Sequence, residues 1–152
     1  DGLPECLVGE TYWFEPVPTD VEKGPRGRLY VSTLPGGPED PSLGARGKVY
    51  TVDPRTGHVR EVAHGLLSAT DLAVSPWGGV YVAELFGGRI SQVRHGTPHT
   101  LVEAPLPATV EWSKGDLLAT VNALGEDPEA PPAGTLVRID LPRGAHGHPH
   151  GR

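Results

Sequence analysis

Residues 70–88, TDLAVSPWGGVYVAELFGG, decide the fold. Alternating apolar positions over 71–75 and 80–84 predict two short strands, with a tight turn over 76–79 and a closing pair, Gly87-Gly88. A related copy, TDVEKGPRGRLYVSTL, spans 19–34, and a worn third copy, TVEWSKGDLLATV, spans 109–121. Asp20 and Asp71, Tyr30 and Tyr81, and Thr33 and Glu84 are each separated by 51 residues. A unit of two strands and a turn, used three times, predicts blades or a sheet array.

Working outward, the first blade is expected over 19–65, with strands at 20–23, 28–33, 48–53 and 58–63. Pro25-Arg26-Gly27 and Asp53-Pro54-Arg55-Thr56-Gly57 are turns with a mechanism: Pro presets φ, Gly accepts a positive φ, and Asp bonds back to turn amides. The second blade, 66–104, has strands at 71–75, 80–84, 89–94 and 99–103, with a hairpin-sized link at 85–88. The third, 105–141, offers only 110–113, 116–121 and 136–140, so its fourth strand is missing. No window holds apolar residues at helical spacing, and Gly or Pro interrupts almost every dozen residues. The fold class is all-β: three four-stranded blades, the last incomplete.

A lead-in segment, 1–18, carries Tyr12-Trp13-Phe14, which cannot all face one side of a strand. It either covers the hydrophobic side of the first blade or forms a stacking platform for a planar ligand. The last residues, 142–152, hold His146, His148 and His150 among Gly and Pro and read as a disordered tail. A start on DGLPE reads as a cut or processed end.

Gly and Pro together make a quarter of the 152 residues, but they fall between apolar runs, where turns of a β protein belong. The net charge of −6 without a Lys/Arg cluster argues against nucleic acid and anionic membrane as partners. No apolar run approaches the roughly 18 residues that span a bilayer. Cys6 is either a free thiol or the mate of a cysteine outside this chain.

The pattern Thr-Asp-(Val/Leu)-x-x-x-Pro-x-Gly-x-(Leu/Val)-Tyr-Val resembles blades of NHL and gluconolactonase-like β-propellers. Residues 12–21, YWFEPVPTDV, with 34–41, LPGGPEDP, and 81–88, YVAELFGG, resemble the ScyD/ScyE family, named from scytonemin gene clusters. The resemblance covers roughly residues 4–141. It implies a propeller, an extracellular or periplasmic location, and a chain corresponding to the C-terminal portion of longer proteins. Three blades cannot close a ring that needs about four to eight. Missing N-terminal blades or self-association are therefore the expected partners, beside a small-molecule or protein ligand.

In a propeller, Asp20 and Asp71 open the innermost strands of consecutive blades and line the channel mouth, where Glu111 of the third blade and Glu84 join them as ligand-binding candidates. Asp20, Asp71 and Glu111 together suit a hard divalent cation such as Ca²⁺. The alternative is that each Asp bonds turn amides or the neighbouring blade. Gluconolactonase-like enzymes hold a divalent metal with Glu, Asn and Asp, and Asn122 lies near such a position. Glu39-Asp40 and Glu126-Asp127, each before Pro in an insertion, rim one face. No Ser-His-Asp or Cys-His pairing and no phosphate loop is present in the sequence pattern, and no catalytic residue is assigned. Two readings follow: a non-catalytic binding or scaffold portion of an exported protein, or part of a metal-dependent hydrolase.

Overall fold

The structure, a computed structural model, describes residues 9, 11, 13–37, 44–125 and 131–142. Among these residues eleven strands form: β1 (Val17–Lys23), β2 (Leu29–Leu34), β3 (Gly47–Val52), β4 (Val59–Leu66), β5 (Ala69–Val74), β6 (Val80–Glu84), β7 (Arg89–Arg94), β8 (Thr97–Glu103), β9 (Thr109–Ser113), β10 (Asp116–Val121) and β11 (Thr135–Ile139). They make three antiparallel sheets, ordered β1-β2-β3-β4, β5-β6-β7-β8 and β11-β10-β9. Among the described residues the third sheet has three strands. No helix among them is long and apolar enough to cross a membrane.

The turns close as their residues dictate. Asp53 Oδ1 accepts from the amides of Arg55 (2.9 Å) and Thr56 (3.3 Å). Ser75 Oγ accepts from Gly79 N at 2.8 Å, while Gly78 takes φ +89°. Gly36 is required where the chain doubles back on the lead-in: it sits at φ +72°, and a Cβ there would lie 2.1 Å from the Glu15 carbonyl oxygen.

The sheets pack face to face, with the inner strands β1, β5 and β9 side by side. One core fills the space between the first and second sheets: Val49, Ala63 and Leu66 meet Leu72, Val80 and Val82. A second lies between the next pair, where Ala73, Tyr81, Ala83 and Ile90 meet Val110, Leu117 and Ala119. Burial follows from this order. Strand β6, covered on both faces, is buried at every residue, whereas β3 and β10 alternate because only one face is covered. Burial of this apolar surface is the main force holding the blades together.

Candidate functional site

The inner strands carry a repeated device. In β1 the register slips between Pro18 and Asp20, and in β5 between Ala69 and Asp71, so Thr19 and Thr70 are the extra residues of matching bulges. Released from the ladder, each threonine reaches the next sheet. Thr19 Oγ1 donates to the Ala69 carbonyl and Thr70 Oγ1 to that of Ala108, both at 2.9 Å. The adjoining aspartates accept from the same neighbours: Leu72 N donates to Asp20 Oδ2 at 3.2 Å, and Val110 N to Asp71 Oδ2 at 2.7 Å. The Thr-Asp pair is thus a staple joining one inner strand to the next.

Asp20 and Asp71 come together. Their carboxyl groups approach closely enough for Asp71, when protonated, to hydrogen-bond Asp20. Burial, reinforced by that bond and by the charge of Asp20, pushes Asp71 up to about 7, against the pull of the Val110 amide. Near neutrality the pair therefore holds a proton that an ordinary aspartate would have lost.

Glu111 does not complete this pair as a third equivalent acid. Val110 pairs with Ala119 and Thr109 with Thr120, as Leu72 pairs with Val82 and Asp71 with Ala83. Thr109 therefore stands at the aspartate position, and Glu111 two residues further, where β1 has Glu22. Ala108 and Thr109 thus stand where the other blades have Thr19-Asp20 and Thr70-Asp71, so the third blade brings no acid to that place. Glu22 is half-buried and its carboxyl is raised, first by burial and then by the charges of Glu111 and Asp20. Among the described residues no group of three or more His, Cys, Asp or Glu is placed to hold a metal, so Asp20, Asp71 and Glu111 are not assembled as a ligand set.

Glu84 is 0 % exposed, inside the second sheet rather than at an open mouth. The four-residue hairpin 85–88 sets Arg89 directly opposite it. Arg89 donates Nε to Oε1 at 2.8 Å and Nη2 to Oε2 at 2.9 Å, a two-pronged pair. Ser91 Oγ donates to Oε1 at 2.5 Å, and Leu67 N to Oε2 at 2.7 Å. Both oxygens are engaged, and the carboxylate ties the connection between the first two sheets to the β6–β7 hairpin. Arg89 and Ser91 are partners that the sequence reading missed, although a short hairpin with opposite charges at its base signals such a pair.

Asn122 follows β10 with φ 54° and donates its backbone N–H to the Pro105 carbonyl at 2.8 Å. His58, His64, His95 and His99 are all exposed, and His64 Nδ1 lies 3.1 Å from Glu61 Oε1. Trp13 is 94 % exposed. The acids Glu39, Asp40, Glu126 and Asp127, with Cys6 and the tail histidines, lie outside the described residues.

No family model matches this chain, and no curated protein matches it in sequence. Solved structures do match in fold. One, described as belonging to a gluconolactonase protein family, aligns at a TM-score of 0.51 and 19% identity, over 68% of this chain and 41% of its own. The chain is a partial β-propeller. A luciferin-regenerating enzyme aligns at a TM-score of 0.41 and 15% identity, over 82% of this chain and 61% of its own. The partial propeller thus spans less than two thirds of either structure.

Proposed function

We propose that this partial propeller is the non-catalytic binding and scaffold portion of an exported protein of ScyD/ScyE type. Its ligand contacts come from the face bearing the insertions of Glu39-Asp40 and Glu126-Asp127. The observation that carries this reading is how the inner acids are spent. Asp20 and Asp71 accept from amides of neighbouring blades, and Glu84 is consumed by Arg89, Ser91 and Leu67. Acids committed to holding blades together leave the binding work to the loops. The family assignment rests on the YWFEPVPTDV, LPGGPEDP and YVAELFGG motifs.

A metal-dependent hydrolase portion is the second reading, favoured by the adjoining carboxyls of Asp20 and Asp71. Equilibrium dialysis against Ca²⁺ and Mn²⁺ separates the two. The scaffold reading expects no stoichiometric cation dependent on these aspartates. Tight one-to-one binding lost in Asp20→Ala or Asp71→Ala would overturn it in favour of the hydrolase.

A further inference from the structure

We propose that the outer part of the junction between the first and second blades is a binding slot for an aromatic carboxylate. The inference rests on how these two blades pack and is independent of the insertion-bearing face.

A cavity of about 470 Å³ opens there, within the size range of small-molecule sites. Val62 of β4 meets Val80 and Val93 of the second blade along its apolar wall, and Arg60 and the β7–β8 turn, His95-Gly96, form its rim. The turn is fixed. Both its residues take the positive φ that a two-residue hairpin needs, 52° and 85°, and His64 N donates to the Gly96 carbonyl at 3.4 Å.

The chain builds this kind of junction twice, and the second copy explains why the first is hollow. Strand registers put Trp112 in the place of Val74, Leu117 in that of Val80, and Ile139 in that of Val93. The bulged residue of the outer strand is Val62 in the first blade and Leu101 in the second. Leu141, 8 % exposed, lies two residues past Ile139, as the exposed His95 lies two past Val93. At each place the later junction carries the larger or more apolar side chain. The Trp112 ring stacks on Tyr81 with centroids 5.9 Å apart, whereas Tyr30, in the place of Tyr81, has Val74 where that tryptophan would be. A Cβ on Gly78, which lines the cavity, would lie 4.0 Å from the Tyr30 hydroxyl. Space that side chains fill at one junction is thus left open at the other, and between two facing sheets such space suits a flat ring.

Charge selects the substituent on that ring. Arg60 pairs with Thr51 on the face towards the second blade and makes no ion pair among the described residues. Glu61, on the opposite face, is shared between Lys48 Nζ at 2.8 Å and His64 Nδ1 at 3.1 Å. The rim therefore offers an uncommitted guanidinium and the imidazole of His95. A guanidinium at the mouth of an apolar slot recognises a carboxylate through two parallel N–H···O bonds.

Calorimetric titration of the full chain with 2-naphthoate, followed by amide chemical shifts, tests the proposal. One-to-one binding with a midpoint below about 1 mM is expected, with shifts at Val62, Val80, Val93 and Gly96. Arg60→Gln is expected to weaken 2-naphthoate about tenfold and to leave the neutral 2-naphthylmethanol unchanged. Val93→Phe fills the slot and is expected to weaken both compounds by about tenfold or more. Should that variant fail to fold by circular dichroism, Val80→Leu with Val93→Ile, taken from the third blade, gives a milder filling with the same expected direction. No binding at about 1 mM overturns the proposal, as do shifts confined to Asp20 and Asp71. So does an Arg60→Gln variant that treats both compounds alike, or a filled slot that binds as before. Octanoate bound as tightly as 2-naphthoate overturns the choice of a flat ring.

Discussion

Asp71 and Glu84 lie in adjacent strands of the same blade and meet their environments in opposite ways. Glu84 is sealed inside, with a guanidinium, a hydroxyl and an amide on its two oxygens. Asp71 sits at the junction between blades beside the Val110 and Leu72 amides and another carboxyl, and burial raises it to about 7. Burial alone does not decide an acid's charge. Glu84 has a cation delivered by its own hairpin, whereas what reaches Asp71 from the preceding blade is a second acid.

The largest expected effect comes from breaking the closed pair. Glu84→Ala leaves Arg89 without its carboxylate and the Leu67 amide without an acceptor, and should cost about 3–5 kcal/mol in urea unfolding. If the loss is under about 1 kcal/mol, solvent reaches this pair and the contrast with Asp71 disappears.

Next in size is the pH response of the junction. The folded Asp71 is raised from 3.8 to about 7, so between those values the folded chain binds more protons than the unfolded one. Its contribution is full below the ordinary carboxyl value, declines as pH rises through that window, and levels off above about 7. The urea midpoint is expected to be lower at pH 8 than at pH 5. Asp71→Asn, which keeps an acceptor for Val110 N and places a donor beside Asp20, is expected to flatten that slope. An unchanged slope would mean that the two carboxyls do not share a proton.

The smallest effect probes the hydroxyl arm of the staple. Thr70→Val removes the bond to the Ala108 carbonyl while keeping the shape, and should cost about 1 kcal/mol. Hydrogen exchange should then quicken at Val110, in the junction with the third blade, and stay unchanged at the Leu67 amide held by Glu84. Equal quickening at both would show the two acids to be coupled through the blade.

Much of this was legible beforehand. The 51-residue recurrence of Asp, Tyr and the strand-end position, with Pro and Gly between apolar runs, located all eleven strands to within a few residues. The Glu84–Arg89 pair was missed, with Glu84 placed at the channel mouth, although the four-residue link fixes which side chains oppose each other. The acceptor role of the aspartates was one of two readings and could not be chosen. Their partners are backbone amides 52 and 39 residues away, and every non-proline residue carries one. Glu111 was misplaced because the Thr that opens the third copy looks like Thr19 and Thr70, whereas the strand register puts Thr109 in the place of Asp71.

The amino-acid order by itself determined the strands, their turns and the three-fold repetition, because alternation and turn chemistry act over a few neighbouring residues. Only the tertiary structure decided which acids meet and which find a cation. Desolvation and charge proximity depend on how one blade is laid against the next, and so the ionisation of Asp71 belongs to the packing.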